Sequence, residues 1–331
     1  MEKRKTDHIE MALNAQTTRD THDSRFHYEP MLKAHPLKEP EPLVFLGKSF
    51  RVPLWVSSMT GGAAAAGKIN HNLARACRTF GMGMGLGSCR VLLQDNSCFS
   101  DFDLRDTLGE NLPLYANLGI SQVEQLLQEN KIHKIHDLVS NLRADGLIIH
   151  INPLQEWFQP EGDRLRYAPL DTVKSFLDKA LYPVIVKEVG QGMGPASLAE
   201  LFRLPLAAVE FAAFGGTNFS KVELQRNETG ILEAYEPFLQ TGEKAEDMVD
   251  YVNNILLTLT NPGCREVIIS GGIKNYLEGY YLMKKIKTPA VYGQASSFLR
   301  YAKESYEALH AYVQSQVNGL MLANAYLTVK E

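Results

Sequence analysis

The sequence predicts a (β/α)8 TIM barrel preceded by an N-terminal arm, and three observations support this α/β fold. Short β-rich runs occur eight times between residues 52 and 295, and helical patterns separate most of them. Such repeated strand–helix alternation is typical of the (β/α)8 barrel. Glycine or small polar residues follow nearly every run, whereas a doubly wound sheet is expected to carry one glycine-rich nucleotide loop near its first strand.

The predicted strands and helices alternate along the chain. The strands are VPLWV from Val52, MGMGLG from Met82, PLYANLG from Pro113, GLIIHIN from Gly146, PVIVKEVG from Pro183, LAAVEFAAF from Leu206, EVIISGG from Glu266 and PAVYGQA from Pro289. Helical periodicity predicts helices over residues 67–80, 121–143, 170–181, 195–204, 244–259 and 299–317. Pro195 is well placed at a helix start.

The chain ahead of the first predicted strand is interpreted as an arm and a linker. It is polar and lacks a strand pattern, and KAHPLKEPEP (Lys33 to Pro42) is typical of an extended, proline-rich linker. We therefore divide the chain into an arm and linker, residues 1–45, and a barrel, residues 46–331. The long segment from Asn218 to Glu243 is a candidate lid.

Composition and charge argue against several classes of protein. The chain is 45% hydrophobic and 22% charged, which is ordinary for a globular protein. A net charge of −4 without a lysine or arginine block argues against a nucleic-acid surface, and the apolar runs are too short to span a membrane. The first residues lack a signal-peptide core, and the four cysteines form no CxxC pair. We therefore expect a cytoplasmic protein without nucleic-acid or membrane partners.

The C-terminal ends of the predicted strands carry many polar side chains. In barrel enzymes these ends together build the active site. Scattered polar residues would not gather at the same end of each strand, so the MTGG stretch that follows the first strand is interpreted as part of a ligand site. The polar set comprises Ser88, Arg90, Asn117, His150, Asn152, Gln155, Glu156, Lys187 and Thr217.

Two members of this set have simpler explanations that compete with a function. His150 alternates with Ile149 and Ile151, so a hydrogen-bonded core histidine explains it as well as a ligand contact does. Lys187 is predicted at the barrel mouth, where a lysine is costly unless it is paired. Its neighbour Glu188 points to the opposite face of the strand, so we expect Lys187 to have a function and a different partner.

The loops after the last two strands indicate a phosphate-bearing ligand. SGGIKN (Ser270 to Asn275) and GQASS (Gly293 to Ser297) each offer backbone N–H groups before a helix, where the helix dipole favours an anion. FGGT (Phe214 to Thr217) adds a hydroxyl. FMN fits this arrangement with its ring over the barrel centre, near Lys187. Pyridoxal phosphate, or the Schiff-base lysine of a class I aldolase, stays open as an alternative.

Seven motifs follow one another along the chain: RKTDH, SSMTGG, GSCR, ANLG, HINPLQEWFQPEGDR, PVIVKEVGQGM and FGGTNF. Together they resemble the type 2 isopentenyl-diphosphate isomerase family, and the resemblance runs from Arg4 to about Gly272. That family consists of FMN-dependent barrels that interconvert isopentenyl and dimethylallyl diphosphate, need Mg²⁺, and use reduced flavin without net redox change. The resemblance implies the same fold, activity and cofactors here, with NADPH as reductant and a homo-tetramer or homo-octamer.

The resemblance also implies roles for residues that match the family's motifs. It places Ser58, Met59, Thr60, Ser88, Asn117, Lys187 and Thr217 against FMN, and Gly271, Gly272, Gln294 and Ala295 around its phosphate. It places Arg4, Lys5, Ser88, Arg90, His150 and Gln155 against the substrate, and Glu156 on Mg²⁺ bound to the diphosphate. Gln155, Lys187 and His150 are the implied catalytic residues. Without the resemblance, Arg4 and Lys5 are ordinary terminal charges; with it, the arm contributes to the substrate site.

Some positions depart from the family pattern. Cys89 replaces a glutamine, Ala213 and Phe214 replace a serine–glycine step, and KNYLEG replaces an aspartate-led helix start after SGGI. The departures bear on the flavin-phosphate residues after strands seven and eight and leave the other motifs intact.

The implied reaction is a 1,3 proton shift through a tertiary carbocation. In this hypothesis the proton is exchanged with reduced flavin, Lys187 balances negative charge on the flavin, and Gln155 orients the alkene. Glu156 with Mg²⁺, together with Arg90 and the arm, fixes the diphosphate. Two other functions remain open: an FMN barrel that performs net redox chemistry, such as a 2-hydroxy-acid oxidase, and a non-catalytic flavin-binding protein.

Overall fold

The computed structural model describes residues 2–37, 41–58, 60, 65–226 and 232–330, and its centre is a closed barrel of eight parallel strands. In chain order the strands are β1 (Phe26–Tyr28), β2 (Leu43–Phe45), β3 (Lys48–Phe50), β4 (Leu54–Val56), β5 (Gly83–Gly85), β6 (Leu114–Gly119), β7 (Gly146–Ile151), β8 (Val184–Glu188), β9 (Ala208–Glu210), β10 (Val267–Ser270), β11 (Ala290–Gln294) and β12 (Leu327–Val329). Strands β4 to β11 form the barrel, each pairing with the next, and β11 closes on β4. The eight predicted strands are therefore all present, and the predicted TIM barrel is confirmed.

Helices follow most of the barrel strands, and the first helix lies in the arm. They are α1 (Glu2–Ala12), α2 (Ala66–Phe80), α3 (Arg105–Leu108), α4 (Ile120–Gln128), α5 (His133–Asn141), α6 (Pro153–Phe158), α7 (Pro169–Leu177), α8 (Pro195–Arg203), α9 (Phe219–Arg226), α10 (Leu232–Leu239), α11 (Ala245–Thr258), α12 (Tyr276–Lys285), α13 (Ser296–Glu304) and α14 (Tyr306–Tyr326). Short 3₁₀ helices cover Arg19–Thr21, Arg90–Leu93 and Phe99–Asp101. In the part of the chain that the structure describes, no helix is long and apolar enough to cross a membrane.

Two of the predicted helices are interrupted. The stretch 121–143 forms α4 and α5, because Asn130 has a left-handed backbone (φ 53°) that a right-handed helix cannot continue through. The stretch 299–317 divides at Ser305, whose backbone is extended and whose hydroxyl accepts a hydrogen bond from the Ala308 N–H at the start of α14. In the divergent KNYLEG segment, Asn275 caps α12 in the same way.

The arm contains a strand that the sequence did not indicate. Strand β1 pairs with β12 in antiparallel register, Phe26 opposite Val329, so the arm is tied to the end of the chain. The prediction that the arm lacks strands is therefore wrong at residues 26–28. A three-residue strand has too little alternation to be recognised, and its pairing partner lies at the far end of the sequence.

Strands β2 and β3 form a hairpin that packs at the bottom of the barrel. Leu46 and Gly47 make the turn with φ of 51° and 71°. Phe45 and Phe50, both fully buried, pack with Trp55 in the apolar cluster that fills the barrel. The boundary predicted between residues 45 and 46 falls inside this hairpin, and a buried ring from each strand packs with the barrel core.

The candidate lid is helical in its described parts. Segment 218–243 contains α9 and α10, and residues 227–231 lie outside the described residues. Leu224 and Leu239 pack with Phe158 of α6 in a small buried cluster. The segment therefore lies against the helix that carries Gln155 and Glu156, at the C-terminal end of the barrel.

Candidate active site

Two neighbouring pockets occupy the mouth of the barrel. The first lies against the ends of β9, β10 and β11, and the second against the ends of β5, β6 and β7. Ser58, Lys187, Val189 and Phe219 line both. The first pocket is also lined by Ser57, Thr217, Gly271, Gly272, Gln294 and Ala295, and the second by Ser88, Asn117, His150 and Gln155. The structure thus brings together most of the residues predicted to form the site.

The first pocket has the features of an anion cradle. Gly271 and Gly272 have φ of 90° and 73°, and a Cβ on Gly271 would overlap the backbone of Ala213. Helix α13 begins here, and its cap residue Ala295 provides no side-chain hydrogen bond, so the first backbone N–H groups of the helix are available to an anion. These donors fit the phosphate of FMN.

Two buried hydroxyls in the same pocket lack partners. Ser57 Oγ and Ser58 Oγ are buried, and neither has a hydrogen-bond partner among the described residues. Buried polar atoms are nearly always hydrogen-bonded, so this pair indicates a ligand that supplies the missing contacts. Ser57 was not among the predicted site residues, although it stands beside Ser58 in the SSMTGG motif.

Gln294 supports the cradle through its side chain. Its Nε2 donates to Ile273 O at 3.2 Å, and its Oε1 accepts from Tyr312 Oη at 2.7 Å. The side chain thereby connects the loop after β10 to α14. Thr60 donates to Asn70 Oδ1 at 2.6 Å, and Met59 lies outside the described residues.

Lys187 lies at the centre of the mouth and is only 7% exposed. Its Nζ donates to the carbonyl of Glu188 at 2.7 Å and lies 3.7 Å from Glu210 Oε1. The Glu188 carboxylate instead accepts three backbone N–H bonds, from residues 190, 191 and 192, although burial raises its pKa. The expectation that Glu188 is not the partner of Lys187 is therefore confirmed.

The partner of Lys187 is Glu210, which sequence analysis missed. It is fully buried on β9 and lies opposite Lys187 in the strand register. The available signal was a single acidic residue inside the otherwise apolar run LAAVEFAAF.

His150 is a hydrogen-bonded, half-buried histidine that also lines a pocket. Asn117 Nδ2 donates to Leu86 O at 3.0 Å, which orients the Asn117 amide so that its Oδ1 faces His150 Nδ1 at 2.8 Å. Because Oδ1 can only accept, the proton of His150 is assigned to Nδ1, and Nε2 carries a lone pair. Burial, with a contribution from the charge of Lys187, lowers the pKa of His150 to about 3. His150 is therefore neutral at neutral pH.

Glu156 is a buried carboxylate at the start of α6. Its Oε1 accepts from Asn152 Nδ2 at 3.1 Å, and its Oε2 accepts from the Asp163 N–H at 2.8 Å. The described residues contain no group of three or more His, Cys, Asp or Glu side chains arranged to hold a metal. Since Mg²⁺ is commonly bound by one or two carboxylates plus phosphate oxygens and water, a single carboxylate fits a metal shared with a diphosphate.

Gln155 is positioned by a second acidic residue that sequence analysis missed. Its Nε2 donates to Glu223 Oε1 at 3.2 Å, and Glu223 is 5% exposed on α9. Glu223 follows the FGGTNF motif by a few residues, but nothing in the local sequence indicates that α9 lies against α6.

The basic residues predicted to bind the diphosphate do not line the two pockets. Arg90 Nη1 lies 3.3 Å from Asp163 Oδ2, so its charge is already paired. Arg4 and Lys5 are exposed on α1 and line neither pocket at the barrel mouth. Their role in binding the diphosphate stays a prediction.

Three relatives of this chain have the same name. An isopentenyl-diphosphate delta-isomerase of Rickettsia felis is 35% identical over 87% of this chain and 81% of its own length. One of Rickettsia rickettsii is 32% identical over 99% of this chain and 95% of its own. This chain belongs to the isopentenyl-diphosphate delta-isomerase family. A Synechococcus member is 36% identical over 81% of this chain and 74% of its own length. The predicted family, and with it the prediction of an isomerase, is confirmed.

Solved structures show how widely the isomerase shares its fold. A mandelate oxidase variant with a monooxide FMN adduct matches with a TM-score of 0.57 at 12% identity, covering 92% of this chain and 88% of its own. A flavocytochrome b2 variant with pyruvate bound matches with a TM-score of 0.63 at 10% identity, covering 91% and 72%. At such identities the likeness concerns the barrel alone. No family model matches the chain.

Proposed function

We propose that this protein interconverts isopentenyl diphosphate and dimethylallyl diphosphate by a 1,3 proton shift, using reduced FMN and Mg²⁺ with NADPH as the reductant of the flavin. Family membership supports the reaction, since the relatives carry that name. The observation that carries the proposal is the meeting of two pockets at Lys187: one offers an anion cradle, and the other is lined by His150 and by Gln155, which precedes Glu156 on α6.

The first pocket suits FMN. When bound and reduced, FMN supplies the proton exchange and an electron-rich ring for this reaction. The hydroxyls of Ser57 and Ser58, which lack partners among the described residues, would form hydrogen bonds with FMN. Gly271 and Gly272, which have no side chains, would leave room for its phosphate. The buried ammonium of Lys187 would balance negative charge on the ring, at a site where low polarity strengthens the interaction.

The second pocket suits an alkene linked to a diphosphate. Gln155, held by Glu223, would fix the alkene end, and neutral His150 offers an Nε2 lone pair to a hydroxyl or a water. Glu156 would bind Mg²⁺ on the diphosphate, and Arg90 would exchange its contact with Asp163 for a phosphate oxygen. Fixing the substrate in this way brings its reacting carbons to the first pocket, which is an orientation effect.

The assembly that the resemblance implies and the location that the composition predicts are also proposals. We propose a cytoplasmic homo-oligomer. The exposed apolar side chains of the arm support the oligomer: Ile9, Met11 and Leu13 are each more than half exposed. Light scattering of the purified protein should give a mass of a tetramer or octamer, and a monomer mass would contradict the proposal.

One assay separates the proposed isomerase from the alternatives. The purified chain with FMN and Mg²⁺ is reduced by dithionite, supplied with isopentenyl diphosphate, and analysed for dimethylallyl diphosphate by NMR. We expect product only in the reduced sample that contains Mg²⁺. Oxidation of a 2-hydroxy acid without isomerisation would favour the oxidase alternative, and bound flavin without either reaction would favour a binding protein.

A further inference from the structure

A buried ion pair lies beneath the two pockets. Lys187 on β8 and Glu210 on β9 are opposite each other in the strand register, with Nζ and Oε1 3.7 Å apart. Their side chains are 9% and 0% exposed. Glu210 Oε1 also accepts from Ser270 Oγ at 3.1 Å, while Oε2 has no hydrogen-bond partner among the described residues.

Stability alone does not account for this pair. Taking two charges out of water costs several kcal/mol per ion, and their attraction offsets that cost only where good geometry satisfies the remaining polar atoms. Here Oε2 is unsatisfied, and the neighbouring strands supply ample apolar packing. An apolar pair would therefore serve the core at least as well, which points to a role at the site above.

The surroundings of Lys187 leave its charge to Glu210. His150, its register partner on β7, is neutral at neutral pH. Glu188 accepts a hydrogen bond from Lys187 at its carbonyl, and its carboxylate, which receives three backbone N–H groups at Oε2, interacts with the charge of Lys187 without forming an ion pair. Among the described residues, Glu210 is the carboxylate within ion-pair distance of Lys187.

We propose that Glu210 is a positioning residue for the flavin site: its carboxylate balances the buried charge of Lys187 and holds the ammonium where both pockets meet. This inference rests on the proposed use of FMN. Without the carboxylate, the ammonium has no counter-charge within ion-pair distance among the described residues.

The test is the reduction potential of bound FMN as a function of pH, measured for wild type and Glu210→Gln. We expect the potential of Glu210→Gln to fall more steeply with rising pH than that of wild type, because a buried ammonium without its counter-charge is costly. The extra fall corresponds to at least about tenfold less stabilisation of reduced FMN, which is about 30 mV for two electrons.

Two control variants assign the effect. Glu210→Asp retains the carboxylate and should follow the wild-type curve, and Glu210→Gln combined with Lys187→Met should show no extra fall. Identical curves for wild type and Glu210→Gln would overturn the proposal. So would an extra fall that survives Lys187→Met, because its source would then be another group.

A flavin-independent measurement covers variants that lose FMN. The full wild-type chain, Glu210→Gln, Lys187→Met and the double variant are each unfolded by a chemical denaturant. Their four free energies of unfolding form a thermodynamic cycle. We expect a coupling between the two residues of at least about tenfold in the unfolding equilibrium constant. If the effects of the two single substitutions simply add in the double variant, the proposed pairing is overturned. If wild type binds no FMN, the proposed function fails, while the cycle still decides the pairing.

Discussion

The arm offers the sharpest test of how the substrate is held. Arg4 and Lys5 are exposed on α1, so replacing both with alanine removes no buried contact and should leave the melting temperature unchanged. If both clamp a diphosphate, each loses charge-assisted hydrogen bonds worth about 1.5–3 kcal/mol. Since 1.4 kcal/mol is about tenfold, kcat/KM should fall about a hundredfold or more.

The geometry of the arm allows this role. The chain is anchored where Phe26 pairs with Val329, and the segment from Lys5 to Phe26 can span up to about 60 Å with α1 intact. That reach includes the mouth of its own barrel and, in an oligomer, that of a neighbour. Closing the arm over the diphosphate would also exclude water from the site.

Steady-state kinetics with isopentenyl diphosphate measure the effect. The matched control is Lys3→Ala with Arg19→Ala, which removes two exposed positive charges from the same arm. We expect the control to behave like wild type, and the Arg4→Ala/Lys5→Ala variant to keep its FMN while losing kcat/KM. Equal kinetics for both double variants would refute the clamp and return Arg4 and Lys5 to ordinary terminal charges.

Other predictions concern the metal, the histidine and the flavin. Glu156→Gln should raise the Mg²⁺ concentration needed for turnover without changing FMN content; unchanged Mg²⁺ dependence places the metal elsewhere. Burial lowers the pKa of His150 to about 3, so between about pH 6.5 and about pH 3 the unfolded chain binds more protons than the folded chain. The free energy of unfolding should therefore decrease as the pH is lowered through this range, by up to about 1.4 kcal/mol per pH unit. Denaturation of His150→Gln should show a shallower slope. The purified protein should release FMN, and borohydride should trap no adduct on Lys187. NADPH consumption should not match product formation.

The barrel and the location of its site were within reach of the sequence. Strand patterns are local, and parallel strands in a barrel place all their C-terminal ends at one mouth, so the sequence predicts that Asn117, His150 and Lys187 lie together. The sequence also predicted the anion cradle, because the glycine N–H groups and the helix start that bind an anion lie within a few residues of each other.

Contacts between distant segments could not be predicted from the sequence. Strands β1 and β12 lie at opposite ends of the chain, Glu223 reaches Gln155 only because α9 packs on α6, and Glu210 faces Lys187 only through the register of β8 and β9. Local patterns state what each residue prefers, whereas a partner depends on how elements pack in three dimensions. The sequence by itself thus determined that Lys187 needs a counter-charge, and the folded barrel determined that Glu210, rather than its neighbour Glu188, provides it.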